Sequence, residues 1–325
     1  MTHISRSTLK IVVTVVALLL SVLAGAQQYP SKPIRIIIPY PPGGSSDLAV
    51  RTIGAKISES LGQPVVVENR SGASGQVGIQ AVVRSPADGY TLVATPSGPV
   101  SISAHLQKLP YDPAKDLVSV AMLALVPSAI AVNAALPIYN LSDFIAFSKR
   151  KPDGVNYSVS GIGTHMHLAG ELLKGMTGAN LIAVAYRGTA PATTAVLSGE
   201  VPASISALAT LLPHAMSGRI RILALIDSTR TTTAPDLPTV SESGVPGYGA
   251  DAWMGMFAPA GTPPHIIARL NAEVARSLAL PDVRLTLGKA GLEPAPMKSE
   301  DMGRFVLDDI KKWGKVINDA NIKID

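Results

Sequence analysis

The residue types best suited to hold a small anion are concentrated in the segment "PYPPGGSSD" (39–47), between an apolar run and a helical pattern. Its prolines stiffen the chain, and its glycines permit backbone angles closed to other residues. Ser45, Ser46 or Asp47 can cap the following helix, whose free N–H groups and positive dipole end then form an anion site.

Two further loops repeat this arrangement. "SGIGTHMH" (160–167) again leaves an apolar run through glycines, and Thr164 can cap the helix that follows. "YRGTAPA" (186–192) places a tyrosine and an arginine before another helix, and "TPSGP" (95–99) is similar but less specific. Three donor-rich loops favour anion binding over ordinary strand-to-helix turns, which stay the alternative. Ser97, in "TPSGP", is also predicted to contact the ligand.

Catalytic and metal chemistry have weaker support. His165, His167 and Glu171 resemble a metal trio, but nothing elsewhere completes a site of the usual spacing, so we predict no metal and no cofactor. The chain lacks a Gly-x-Ser-x-Gly elbow, a phosphate-binding P-loop and a GxGxxG motif. A hydrolase built on Ser45 or Ser74 is the alternative from the enzyme class. We predict that the protein is not an enzyme.

Composition places the chain outside the cytoplasm. Residues 1–26 have the layout of a signal peptide: Arg6 and Lys10 precede an apolar run of 15 residues (11–25), and "AGA" at residues 24–26 matches a small-x-small cleavage site. We predict cleavage near Ala26 and a periplasmic protein, with a retained anchor as the alternative. The chain has no cysteine, which excludes disulfides and thiolate sites. A net charge of +5, without basic runs carrying aromatics, indicates no nucleic-acid partner.

Apolar, β-branched runs alternate with helical segments along the chain, which predicts an α/β protein with mostly parallel sheets flanked by helices. The segments 122–134 and 251–260 are interpreted as paired crossover strands between two lobes. Residues 27–127 plus 251–325 are assigned to lobe 1, and residues 128–250 to lobe 2. A ligand is expected in the cleft between the lobes, where strand ends and helix N-termini meet.

The motifs together resemble one family, the periplasmic receptors of tripartite tricarboxylate transporters (the Bug family). The resemblance covers nearly all of residues 27–325, and "IIIPYPPGGSSD", "LGQPVVVENRSGASG", "HLAGELLK", "YRGTAPA" and "PDLPTVSESGVPGY" are among the segments that carry it. It implies a two-lobed, Venus-flytrap (type II-like) binding fold that engulfs a small organic carboxylate, held mainly by backbone N–H groups and water. Carried over motif by motif, the resemblance implies ligand contacts in the three loops, with a purely structural ion pair as the alternative for Arg187. These contacts are Pro42, Gly43, Gly44, Ser45, Gly161, Gly163, Thr164, His167, Tyr186, Arg187 and Gly188. It also implies that the membrane permease subunits of such a transporter are the partners. A sensor for a signalling partner is the alternative, and a monomer is expected.

One departure from the family pattern bears on the ligand. The family commonly has two aspartates at positions occupied here by Pro202 and Ser206, within "GEVPASIS". Serine offers no charge to a ligand ammonium. Ser206 is therefore predicted to contact a ligand without a positive group: a di- or tricarboxylate, or an aromatic carboxylate, rather than an amino acid.

Overall fold

The protein is described from a computed structural model that covers residues 29–324, so the predicted signal peptide lies outside the described residues. The described strands form two separate sheets, of six and five strands. Strands of the first sheet are β1 (Ile34–Ile38), β2 (Val65–Asn69), β3 (Thr91–Pro96), β4 (Leu117–Leu125), β10 (Trp253–Pro259) and β11 (Glu293–Pro294). Strands of the second sheet are β5 (Ser128–Asn133), β6 (Val155–Val159), β7 (Leu181–Ala185), β8 (Ala203–Ala207) and β9 (Ile220–Leu225).

Both sheets are mixed, with most strands running in one direction. The first has the order β11-β4-β10-β3-β1-β2, in which β2, β1 and β3 pair in parallel and β10 is antiparallel to both of its neighbours. The second has the order β7-β6-β8-β5-β9, in which β5 is the reversed strand. Each reversed inner strand, β5 or β10, is the first that the chain forms after crossing from the other sheet.

Helices cover the sheets and bury their apolar faces. The described helices are α1 (Ser45–Leu61), α2 (Gln76–Val83), α3 (Ser103–Leu106), α4 (Leu141–Lys149), α5 (His165–Thr177), α6 (Thr189–Ser198), α7 (Leu208–Met216), α8 (Pro264–Ala279), α9 (Pro281–Lys289) and α10 (Ser299–Asp319). Helix α1 ends at Gly62 and α5 at Gly178, both left-handed, where glycine is unstrained. Within residues 29–324, no helix combines the length and apolarity needed to cross a bilayer.

The two-lobed α/β prediction is correct, but the crossover differs in detail. Residues 122–134 are not one strand: β4 ends at Leu125 in the first sheet, and β5 begins at Ser128 in the second. Strand β10 pairs only with the β4 part of this run. The break falls at Pro127, which lacks the N–H that a continuing ladder needs. The chain returns through the irregular stretch 226–252, where Val126 N–H donates to Ala252 at 2.7 Å.

Helix α10 contacts both sheets. Met302 and Val306, in its first half, are buried with Trp253 beside the first sheet. Trp313 and Ile317, in its second half, are buried in the core of the second sheet. The lobe boundaries stay a prediction, because this helix belongs to both cores.

Candidate functional site

Three loops converge at the carboxyl edge of the first sheet. They follow β1, β2 and β3, which are neighbouring parallel strands. A Cβ added to Gly75, after β2, would lie 3.2 Å from Pro99, after β3, and 3.4 Å from the Tyr40 hydroxyl, after β1. The predicted contacts Pro42, Gly43, Gly44 and Ser45 are exposed at this edge.

The first predicted loop is capped differently from the expectation. The N-cap of α1 is Gly44, which has no side chain, and neither Ser45, Ser46 nor Asp47 occupies that position. Asp47, in the first turn, reaches back so that its Oδ2 accepts the N–H of Gly43 at 3.1 Å. Gly43 has φ +93°, a left-handed angle that favours glycine. The carboxylate therefore holds the loop from inside the helix.

Asp47, which is buried, is bonded to exposed Arg51 and half-buried Asn69. Its Oδ1 accepts from Arg51 Nε at 3.0 Å and from Asn69 Nδ2 at 3.0 Å. Asn69 Nδ2 also donates to the Tyr40 carbonyl at 3.1 Å, which joins the β1 loop to the end of β2. Arg51 foremost, with Asn69 and the Gly43 N–H, holds the pKa of Asp47 below its usual value against the opposing effect of burial. The carboxylate is therefore ionised at neutral pH.

Sequence reasoning missed Arg51 and Asn69. Both had a readable signal. Arg51 stands four residues after Asp47, the spacing of a helical ion pair, and Asn69 ends a predicted parallel strand at the edge where ligands bind.

The second loop confirms Thr164 as a cap. Its Oγ1 accepts the His167 N–H at 3.4 Å, and its hydroxyl donates to the Gly161 carbonyl at 2.7 Å. His167 is buried, with 6% of its surface exposed, and its Nδ1 accepts the N–H of Gly163 at 3.1 Å. Gly163 has φ +72°, again left-handed. The imidazole thus faces its own loop.

The third loop is also bonded internally. The Tyr186 hydroxyl donates to Glu200 at 2.6 Å, and the Gly188 N–H donates to the Tyr186 carbonyl at 2.9 Å. Burial, followed by the Glu200 contact, raises the pKa of Tyr186 to about 12. Arg187 is exposed, and among residues 29–324 its guanidinium has no ion-pair or hydrogen-bond partner. Arg187 is therefore available to an incoming anion.

The two predicted serines lie at strand ends. Ser97 follows β3 and is buried, and its N–H donates to the Trp253 carbonyl at 2.9 Å. Ser206, one residue before the end of β8, is 3% exposed and lies 3.3 Å from the Thr210 hydroxyl oxygen.

Free donors remain at the helix starts. Within the described chain, the amides of Ser45 and Ser46 in α1, His165 and Met166 in α5, and Thr189 and Ala190 in α6 have no protein acceptor. Unpaired N–H groups at helix N-termini attract anions. In this structure the N–H groups of Gly43, Gly163 and Gly188 shape the loops, and the following amides are open.

A polar cluster lies where α5 meets α10. His165 packs edge-on against Trp313, with ring centroids 5.1 Å apart, and both of its ring nitrogens are buried without a partner in the described chain. Burial lowers the pKa of His165 to about 4, so it is neutral at pH 7. Asp309 accepts from Trp253 Nε1 at 2.9 Å and pairs with Lys312 at 2.9 Å. Because Trp313 and Asp309 both belong to α10, this helix connects His165 at the start of α5 to Trp253 in the first sheet.

The predicted contacts do not line the cavity that lies between α5 and α10. This cavity has a volume of about 710 Å³, and its lining includes Lys174, Asn180 and Lys315. Among residues 29–324, no cluster of three or more His, Asp or Glu side chains is arranged to hold a metal ion. His165 and His167 face different surroundings and do not form a trio with Glu171.

Comparison with known proteins decides the family. Residues 49–322 match the family model "Tripartite tricarboxylate transporter family receptor". The chain belongs to this receptor family. It is 36% identical to the protein BugT of Bordetella pertussis over 301 residues, which covers 92% of each chain.

Solved structures of the receptor family share its fold. An R. palustris protein solved with adipate is 36% identical and superposes with a TM-score of 0.73, covering 91% of this chain and 99% of its own. A ligand-free TctC solute-binding protein from Polaromonas is 26% identical and superposes with a TM-score of 0.84, covering 90% of this chain and 100% of its own. Members of the family are periplasmic binding proteins rather than enzymes, which removes the hydrolase alternative.

Proposed function

We propose that this receptor captures a small dicarboxylate in the cleft between its two lobes and delivers it to the membrane subunits of a tripartite tricarboxylate transporter. The observation that carries the proposal is the set of open amides at the starts of α1, α5 and α6, in a chain whose family binds solutes. One carboxylate bridges the α1 and α5 amides, and the second lies near Arg187. Ordered water completes the contacts.

The exposure of the first loop supports this proposal. Pro42, Gly43, Gly44 and Ser45 are all exposed, so a ligand can reach this half-site from solvent. A ligand that touches both lobes favours closure through contacts made only in the closed form. Closure then presents a new surface to the permease.

The absence of a carboxylate at Ser206 supports a ligand without an ammonium group. A dicarboxylate such as adipate, bound by a 36%-identical relative, fits this condition. We further propose that the receptor acts as a monomer in the periplasm, after cleavage near Ala26, with lobes that divide at residues 127/128 and 250/251.

A thermal-shift screen of residues 27–325, refolded to remove carried-over ligand, tests the function. The panel contains adipate, malate, citrate, benzoate and aspartate, with adipamide as the uncharged match of adipate. A dicarboxylate at 100 times its dissociation constant stabilises the fold by about 2.7 kcal/mol, or several degrees. Adipamide is expected to give no shift. Equal shifts with adipate and adipamide, or no shift with any acid, contradict the proposal.

A further inference from the structure

The two half-sites use the same contact at the same helical position. In α1 the N-cap is Gly44, and the third helical residue, Asp47, accepts the N–H of the residue before the cap, Gly43. In α5 the N-cap is Thr164, and the third helical residue, His167, accepts the N–H of Gly163. Both distances are 3.1 Å.

The backbone around the two contacts also matches. Gly43 and Gly163 both have left-handed φ angles, +93° and +72°. In each loop, the side chain turns the glycine amide inward and leaves the next amides of the helix open. A loop fixed in this way does not have to be ordered when ligand arrives, and preorganisation of this kind raises affinity.

We propose that His167 is a positioning residue rather than a ligand contact, and that it holds the second half-site ready only while its Nδ1 is unprotonated. This inference rests on the proposed function for its effect on affinity, but not for its effect on the loop. An imidazole nitrogen that accepts an N–H carries no proton of its own. The proton of neutral His167 is therefore on Nε2, which lies 3.8 Å from Glu171 Oε1.

The two acceptors differ in their response to acid. Asp47 is a carboxylate whose pKa is held below its ordinary value of 3.8, chiefly by Arg51. It therefore stays ionised and accepts the Gly43 N–H at every pH above 3.8. When His167 is protonated, both of its ring nitrogens carry an N–H. The Nδ1–H then faces the Gly163 N–H, and two donors cannot form a hydrogen bond. Acid therefore releases the second loop and leaves the first in place.

The charged groups around His167 set the pH at which the second loop is released. On its own helix are Glu171 and Lys174, which pair at 2.8 Å. Burial lowers the pKa of His167 below its usual value, Glu171 opposes that shift and Lys174 adds to it. The release therefore occurs below pH 6.5.

Neighbouring elements contribute few charges. The hydroxyl of Tyr157, on β6, donates to the His167 carbonyl at 3.3 Å. The hydroxyl of Tyr248, in the irregular stretch 226–252, donates to the Ala169 carbonyl at 2.8 Å. Burial raises the pKa of both tyrosines far above neutrality, so neither titrates with His167. From α10, Lys315 and Asp319 line the cavity that Glu171 and Lys174 also line. Asp319 and Lys315 pair with each other, so their charges offset.

The test uses ¹⁵N-labelled protein without ligand. Hydrogen-exchange protection of the Gly163 amide and the ¹⁵N shifts of the His167 ring are followed from pH 7.5 to 4.5, with the Gly43 amide as internal control. We expect Gly163 to lose about tenfold protection as His167 Nδ1 takes up a proton. Gly43 should keep its protection. Constant protection of Gly163 across the titration of His167 overturns the proposal.

Two variants separate positioning from simple packing. His167→Asn places an amide oxygen close to the site of Nδ1 and cannot be protonated, so it should protect Gly163 at every pH. His167→Gln carries its oxygen one bond farther and should protect it at none. Equal protection in both variants contradicts the assigned role. Unfolding curves for each variant show that the fold is retained.

Adipate binding provides the functional readout. Adipate itself takes up protons in acid, and this affects its binding to both proteins equally. Dividing the wild-type dissociation constant by that of His167→Asn cancels this shared effect. We expect a ratio near one at pH 7.5 and about tenfold higher in acid. A ratio that does not change with pH contradicts the effect on affinity. If wild type binds no acid at all, the proposed function fails, whereas Gly163 protection still decides the positioning role.

Discussion

The Asp227 carboxyl group accepts the backbone N–H of Ser128 through Oδ2 at 2.9 Å and so ties together the two segments that cross between the sheets. Ser128 begins β5, and Asp227 follows β9. Asp227 is 4% exposed, and its second oxygen is buried without a partner in the described chain. Burial raises the pKa of Asp227 to about 8, with Asp251 adding to the shift, so this hinge carboxyl is protonated at neutral pH.

The Asp227 relationship predicts lower stability in alkali. The folded state holds a proton that the unfolded chain releases near pH 3.8, so stability falls as pH rises from 3.8 through about 8. Asp227→Asn keeps an acceptor for Ser128 and removes the ionisation. The melting temperature of Asp227→Asn should therefore rise relative to that of the wild type as the pH increases from 6 to 9. Asp236→Asn, at an exposed aspartate, should track wild type, and an Asp227→Asn melting curve parallel to wild type would refute the assignment.

Adding a methyl group at Gly43 should destabilise the first loop. Alanine at φ +93° costs about 1–2 kcal/mol, although a Cβ there would meet nothing within 4 Å. Gly44 is the matched control: its φ is −80° and its Cβ would also be free of contacts, so Gly44→Ala should cost only about 0.5 kcal/mol, from the N-cap preference for glycine over alanine. Urea unfolding of both variants measures the difference. Equal costs would show that backbone angle does not constrain this loop.

Removing the Asp47 carboxylate should weaken both fold and binding. Asp47→Ala leaves the Gly43 N–H without its acceptor and removes one of the two acceptors of Asn69 Nδ2, at a cost of about 1–3 kcal/mol in urea unfolding. In wild type the pKa of Asp47 is lowered on folding, so its contribution is complete above pH 3.8 and is lost as pH falls through the folded pKa. Asp47→Asn keeps one oxygen and should show an intermediate cost. A cost for Asp47→Asn as large as that for alanine would mean that charge alone matters.

Ser206 should set the charge selectivity of the pocket. Ser206→Asp places a carboxylate at this strand end and is expected to weaken adipate binding at least about tenfold through like-charge repulsion. The variant should also gain affinity for aspartate, whose ammonium it can pair with. Ser206→Asn controls for size and should retain most adipate binding. Calorimetric titrations with both acids make the comparison, and equal losses in the two variants would argue for a steric effect.

Local sequence patterns were sufficient for the fold class and for one helix start. Thr164 was recognisable as a cap because it is the one hydroxyl residue that follows the two glycines of "GIGT" (161–164). Four adjacent residues from Gly44 to Asp47 can each cap a helix, so only the backbone angles decide among them. The strand switch at 125–128 lies inside one continuous apolar run, and Pro127 was its only mark.

The orientation of the His167 ring was beyond local reasoning. Whether an imidazole faces a ligand or its own loop depends on the packing of Tyr157 and Glu171 around it, which are ten residues before it and four after it in sequence. The same holds for Arg187, whose free guanidinium follows from the absence of partners within the described chain. Sequence indicated the loops, and the fold determined which donors in them are open.

In the proposed function, a carboxylate closes the two lobes around itself. Small-angle X-ray scattering of residues 27–325, with and without saturating amounts of the acid that gives the largest thermal shift, tests it directly. We expect a smaller radius of gyration with the acid and no change with its amide. An acid that binds and stabilises the protein while the radius of gyration stays constant would contradict capture by closure.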